Sequence, residues 1–291
     1  MKNEGIAVLD NFQRVQVLND ALPFIQKFYG RTIVIKYGGS AMQNQQLKDK
    51  VIEDILFLSY VGIKPVLIHG GGPIINNWLN KVNIEPRFEK GIRVTNRETM
   101  ELVEMVLVGK VNKDLVNLIN KKNGSAVGLC GKDANLMIAS KLFPIKDDYV
   151  GTIKKVNPEI INLLLNSGHI PVIASVAADE DGQVYNINAD TVAGALANAL
   201  QAEKLILLTD TIGIMNDLNN EETLIKSLNV SLAQNLKKEN IISGGMIPKV
   251  DCCIKALQGY VNAAHIIDGR IDHALLLEIL TTDGIGSMLT L

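Results

Sequence analysis

The chain is 291 residues long, 47% hydrophobic and 4% aromatic, with a formal net charge of −2. That is enough for a large aliphatic core, in one α/β domain or in two lobes sharing a sheet, and the charge balance gives no reason to expect nucleic acid as a partner. No apolar run approaches the ~18–20 residues of a membrane span, and three cysteines, two of them the neighbours Cys252 and Cys253, make neither a disulfide framework nor a zinc-ligand spacing with the four histidines.

At the N-terminus Glu4, Asp10 and Asn11 interrupt any apolar stretch, so no signal peptide is expected and the thiols read as reduced core residues of a cytosol-like compartment. Val15, Leu18, Leu22, Ile25 and Phe28 step by three and four along one face of a helix. Pro23 inside that pattern predicts a kink or a restart. From pattern alone such a helix packs on its own domain or grips another subunit.

From Ile33 onward strands and helices alternate. Strands are predicted over 33–36 and 65–69, each followed by a helix, over 46–61 and to 79, with a further helix over 97–118 after the capping-like Thr95-Asn96-Arg97-Glu98. Residues 126–130 and 136–139 read as strands, the second as a sheet-edge hairpin. A helix over 158–166, a strand over 170–175, a small-residue helix over 191–200 opened by residues 186–190, and a buried strand over 205–209 follow. A polar surface loop at 217–223, helices over 230–236 and 247–258, and strands over 264–267 and 288–291 complete the chain. Such alternation of short aliphatic strands with helices predicts a mainly parallel sheet covered on both faces.

Three glycine clusters end strands or open helices: Gly38-Gly39-Ser40, Gly70-Gly71-Gly72 and Ser243-Gly244-Gly245-Met246. Each alone reads more readily as a plain tight turn. Together, and with Lys36 and Lys249 beside them, they point to a phosphate site at the carboxyl ends of the strands, where helix N-termini offer N–H groups and positive dipole ends. The common nucleotide motifs are missing: there is no G-x-x-x-x-G-K-[ST], and Ile75 breaks G-x-G-x-x-G, which disfavours a dinucleotide dehydrogenase. In Asn186-Ile187-Asn188-Ala189-Asp190 the two amides project to one side of an extended segment, and Asp190 opens a helix. Capping is the common use of these residues, and an aspartate between two lysines also holds both ammonium groups without accepting a proton. Arg93 is a candidate fork for a substrate carboxylate, or a surface ion pair.

Lys36-Tyr37-Gly38-Gly39-Ser40, His69-Gly70-Gly71-Gly72-Pro73, Gly91-Ile92-Arg93-Val94-Thr95, Asn186-Ile187-Asn188-Ala189-Asp190 and Gly244-Gly245-Met246-Ile247-Pro248-Lys249 occur in this order. The ordered set resembles the amino-acid kinase superfamily, and within it the acetylglutamate kinases, from about residue 22 to 288. The resemblance implies an α/β fold, a three-layer αβα sandwich with a mainly parallel central sheet. It implies an oligomerisation helix in 1–30, an N-terminal lobe in 31–180 that binds N-acetyl-L-glutamate and dimerises, and a C-terminal lobe in 181–291 that binds ATP. Carried over by position, Lys36 and Lys249 stabilise the transferring phosphoryl group and Asp190 orients them. Gly71, Gly72, Arg93, Asn186 and Asn188 serve the acetylglutamate site. Gly38, Gly39, Thr209, Asp210, Gly213, Ser243, Gly244 and Met246 serve the ATP site, with Mg2+ arriving on ATP and no resident metal or organic cofactor expected.

The N-terminal helix resembles the extension that interlaces dimers into a hexamer, a trimer of dimers, in arginine-sensitive members. The run from His265 to Met288 resembles their arginine-binding segment, with His265 and Glu278 as contacts and Lys204 beside them, so L-arginine is the expected feedback inhibitor. Members from cyanobacteria and plastids also bind the PII signalling protein. The Ile-, Lys- and Asn-rich composition fits an AT-rich genome, plastid genomes included, so the expected location is the cytoplasm or, for a plastid-encoded chain, the stroma. The rival readings are another amino-acid kinase, acting on glutamate or aspartate, and a non-catalytic arginine sensor of the same fold. Arg93 and Asn186 favour the acetylated substrate, and retention of both lysines with Asp190 argues against a sensor.

Overall fold

The β-branched run TIVIKY forms the central strand, and everything near the candidate site is positioned from it. The structure is a computed structural model that describes residues 10–39, 42, 44–89 and 91–291; Ser40 of the first glycine motif and residues 1–9 of the N-terminal segment lie outside the described residues. In chain order the elements are α1 (Asn11–Phe28), β1 (Thr32–Tyr37), α2 (Gln45–Tyr60), β2 (Lys64–His69), α3 (Gly72–Lys81) and a short hairpin of β3 (Phe88–Glu89) and β4 (Ile92–Arg93). A long helical stretch follows, made of α4 (Arg97–Glu104), a π-helical segment (Met105–Val111) and α5 (Asn112–Lys121). Next come β5 (Ala126–Leu129), β6 (Met137–Lys141), β7 (Val150–Val156), α6 (Glu159–Asn166), β8 (Ile170–Ala174), β9 (Val176–Ala178) and β10 (Val184–Ile187). The last part holds α7 (Ala189–Ala199), β11 (Lys204–Thr209), β12 (Ser227–Asn229), α8 (Val230–Lys238), α9 (Met246–Gln258), β13 (Ala263–Asp268), α10 (Ala274–Ile279) and β14 (Ser287–Thr290).

Among the described residues the main sheet has eight strands in the order β12-β14-β13-β11-β1-β2-β8-β5. All its pairings are parallel except β13 with β14. Alternation along β1 divides the core. Ile33, Ile35 and Tyr37 join one apolar cluster, with α2 and the α4–α5 stretch. Val34 joins the other, with Val192, Ala193 and Leu196 of α7 and Val250 and Cys253 of α9. Two residues beyond Val34, Lys36 therefore points to the face covered by α7 and α9.

Some predicted elements fall differently. Residues 136–139 are not an edge hairpin of the main sheet; β6 lies in a separate closed four-stranded group, β10-β7-β6-β9. Asn186 and Ile187 end β10 rather than opening a helix, and α7 starts at Ala189 with Asn188 as its N-cap. The predicted helix over 97–118 is longer and interrupted, and its N-cap is Asn96, whose side chain accepts from Thr99 N. α1 runs through Pro23 as one element without restarting. Its apolar residues have two fates: Phe28 is buried and Phe24 packs on the core, whereas Phe12, Val15 and Leu18 are 78%, 55% and 66% exposed.

Candidate active site

The carboxyl ends of β1, β2 and β11 lie side by side, with Lys36 opposite Leu207 and Tyr37 opposite His69. This puts the turn at 38–39 between the glycine turn at 70–72 and the Thr209-Asp210 end of β11. Gly39 has φ +74, and a Cβ there would lie 2.4 Å from an Asp210 carboxylate oxygen, so only glycine lets the two turns meet this closely. At Gly38 a Cβ would lie 2.9 Å from Lys36 Nζ, so the lysine folds back over its own turn.

Three charged side chains converge on this end of the sheet. Asp190, in the first turn of α7, pairs through Oδ1 with Lys36 Nζ at 2.9 Å and accepts on Oδ2 from Lys249 Nζ at 3.0 Å. Burial alone would raise the Asp190 carboxyl; the two ammonium groups outweigh it and hold the group below the ordinary carboxylate range. The carboxylate is therefore a fixed anion, not a base. Its backbone is fixed as well. Asn188 Oδ1 accepts from Asp190 N at 2.7 Å, and Cys252 Sγ donates to Asp190 O at 2.9 Å, tying α7 to α9 one turn after Lys249. Burial pushes the Cys252 thiol up to about 12, so it stays protonated as that donor.

Arg93 is 7% exposed, not a surface ion pair. Its Nη2 donates to Asn76 Oδ1 at 2.6 Å and to Gly72 O at 3.2 Å, its guanidinium lies 4.7 Å from the Phe88 ring centre, and its buried Nη1 has no partner among the described residues. Asn186 Nδ2 donates to Thr95 Oγ1, which in turn donates to Arg93 O. Arg93, Gly72 and Asn186 are thus joined through Asn76 and Thr95, which sequence reasoning missed. The signal for Asn76 was its place four residues after Gly72, one turn along α3; for Thr95 it was the two-residue step from Arg93.

Ser243, Gly244 and Met246 lie in the turn that opens α9, where Met246 N donates to Ser243 O. Thr209 is buried at the end of β11. Gly213 is packed so closely that a Cβ would lie 2.6 Å from Ser287 Oγ.

A second buried cluster joins Lys204, His265 and Glu278. Lys204 Nζ lies 2.8 Å from His265 Nε2, and His265 Nδ1 lies 2.6 Å from Glu278 Oε1, while Glu278 Oε2 accepts from Ile285 N and Gly286 N. Burial lowers the Lys204 ammonium to about 8. Burial also depresses His265, which fits a neutral ring that accepts from the lysine and donates to the glutamate. Among the described residues no group of three or more His, Cys, Asp or Glu is arranged to hold a metal ion, and no helix is long and apolar enough to cross a membrane.

The profile of the amino acid kinase family matches residues 31–268, a span that holds Lys36, Arg93, Asp190 and Lys249. The chain belongs to that family. A relative from Gracilaria tenuistipitata var. liui named acetylglutamate kinase is 68% identical, the match covering 98% of this chain and 100% of that protein. One of the same name from Thermosynechococcus vestitus is 60% identical, with 97% and 96% covered. Among solved structures, N-acetylglutamate synthase from Neisseria gonorrhoeae, complexed with coenzyme A and N-acetyl-glutamate, superimposes with a TM-score of 0.84 at 26% identity. That match covers 97% of this chain, which spans 64% of the synthase's length.

Proposed function

We propose that the protein is an acetylglutamate kinase, transferring the γ-phosphoryl group of MgATP to the γ-carboxylate of N-acetyl-L-glutamate. The observation that carries this is the pair of lysines held on one buried carboxylate beside two glycine turns. The nucleophile is already ionised at neutral pH, with an ordinary pKa of ~4.3, so no general base is required. A γ-carboxylate oxygen forms the new bond to phosphorus, the bond to the bridging oxygen breaks, and ADP leaves with that electron pair. The obstacle is repulsion between anions, and the remedy is fixed positive charge and N–H dipoles where negative charge gathers.

In this reading Lys36 and Lys249 flank the phosphoryl group, and Asp190 keeps the two like charges in place. Gly38, Gly39, Gly71 and Gly72 offer N–H groups. Arg93 Nη1 takes the substrate's α-carboxylate, and Asn186 and Asn188 border the same site. The 31–180 part holds acetylglutamate, and the 181–291 part holds ATP between Thr209, Asp210, Gly213 and the turn at 243–246. The Lys204–His265–Glu278 cluster is the L-arginine site, where Glu278 meets the guanidinium. The exposed half of α1 joins dimers into a hexamer. The activity belongs to arginine biosynthesis, in the cytoplasm or the plastid stroma.

The test is ATP-dependent acyl-phosphate formation, trapped as hydroxamate, with N-acetylglutamate, glutamate and aspartate side by side, with and without arginine. The expected result is product with N-acetylglutamate alone, suppressed by arginine. Product with glutamate or aspartate instead overturns the substrate assignment, and a flat response up to tens of millimolar arginine overturns the inhibitor site.

A further inference from the structure

The glycine turn after β2 is backed by the long helical stretch that runs through the π-helical segment. His69, the last residue of β2, is fully buried. Its Nδ1 lies 2.9 Å from Gly70 O, and its Nε2 lies 3.1 Å from Nδ2 of Asn112, the first residue of α5. The same amide nitrogen donates to Val172 O at 2.9 Å and, more weakly, to Leu129 O at 3.4 Å. A nitrogen facing two carbonyls is a donor, so His69 Nε2 accepts and Nδ1 carries the proton that binds Gly70 O. Burial, helped by the nearby charge of Lys113, pushes the ring down to about 4, so it stays neutral in that one tautomer.

Packing from the same stretch closes on the next residue. A Cβ at Gly71 would lie 2.6 Å from Leu107 Cδ2 and 3.4 Å from Val111 Cγ2. Leu107 and Asn112 are five apart, which on a regular α-helix puts them on different faces. Here Asn112 N donates to Leu107 O, the i→i+5 bond of π geometry, which stacks the two residues on one side. Leu107 then packs on Gly71 while Asn112 reaches His69.

We infer that His69 and Asn112 are positioning residues for phosphoryl transfer. They fix the Gly70 peptide from behind so that the N–H groups of Gly71 and Gly72 face the transferring phosphate, and the π-helical segment brings Asn112 and Leu107 to the turn together. This rests on the reading that the turn faces the γ-phosphate. Neither side chain touches substrate; both act through the Gly70 carbonyl, so the loss on removal appears in turnover rather than in acetylglutamate binding.

The experiment is steady-state kinetics and thermal melting on the full chain for wild type, His69→Leu, Asn112→Leu, the double variant and His69→Asn. Because misplacing a reacting group by about 1 Å costs up to about 100-fold, each leucine variant is expected to lose about 10- to 100-fold in kcat. KM for N-acetylglutamate should stay within about twofold, the pattern of an interaction felt mainly in the transition state. The double variant should lose no more than the worse single one, since both act on one peptide. His69→Asn, which keeps an amide donor where Nδ1 stood, should recover most of the loss. Wild-type kcat in the folded leucine variants overturns the proposal, as do losses that multiply in the double variant. If a leucine variant does not fold, Asn112→Ser carries the same comparison. A wild type inactive on N-acetylglutamate would sink the function itself; an active wild type with unaffected variants sinks only the positioning role.

Discussion

Arg93 is a buried cation with half of its fork in use. Asn76 and the Gly72 carbonyl take Nη2, and the Phe88 ring lies against the guanidinium, which leaves Nη1 buried without an acceptor among the described residues. A buried donor with no partner is costly, and a carboxylate is the ligand that relieves it. Arg93→Ala is therefore expected to raise KM for N-acetylglutamate by about 10- to 100-fold, the worth of one charge-assisted hydrogen-bonded contact, with a smaller effect on kcat. Arg93→Lys should not restore it, because an ammonium lacks the planar fork. Steady-state kinetics with each substrate varied checks both.

His69 also makes a statement about stability. Its ordinary value near 6.5 falls to about 4 in the folded chain. Between those values the unfolded chain binds a proton that the folded chain does not, so stability rises with pH across the window and falls on acidification from about 6.5 towards 4. His265 is shifted the same way. Urea midpoints against pH should show this slope, and His69→Asn should flatten it. Lys36, Arg93, Asp190 and Lys249 were legible in the sequence because glycine turns and a helix start flag them. Asn76 and Asn112 were not, since each is a polar residue on an amphipathic helix until the fold shows what it faces.

At the scale of elements, α1 answers a question that periodicity left open. Phe24 and Phe28 anchor it to the core, while Phe12, Val15, Leu18 and Leu22 stand in solvent. A row of large exposed apolar residues on one helix marks an interaction face. Deleting residues 1–20 is expected to reduce the assembly to a smaller species in sedimentation while leaving kcat nearly unchanged; an assembly of unchanged size would remove α1 from the interface. Long amphipathic helices and buried parallel strands were readable from their periods. The π-helical segment was not, because one residue more per turn barely alters an apolar pattern. Nor was the β10-β7-β6-β9 group, whose short strands are paired by tertiary contacts rather than by local preference.

For the whole molecule, the parallel sheet explains why residues from opposite ends of the chain share one site. β1 lies between β2 and β11, so its carboxyl end is flanked by the 70–72 turn on one side and Asp210 on the other. β11 also connects the two buried clusters. Lys204 opens the strand beside His265 and lies 5.3 Å from the ring centre of Phe28 in α1, whereas Thr209 closes it near the glycine turns. One strand thus runs from beside α1 and the Lys204–His265–Glu278 cluster to the end of the sheet that carries the glycine turns.

In the proposed reaction two lysines on one buried carboxylate drive transfer to an already ionised nucleophile. The most direct measurement is kcat of Lys36→Ala, with folding verified by thermal melting. Loss of one preorganised donor of this kind should lower kcat by ~10²–10³-fold, whereas near-wild-type turnover in the folded variant would contradict the account.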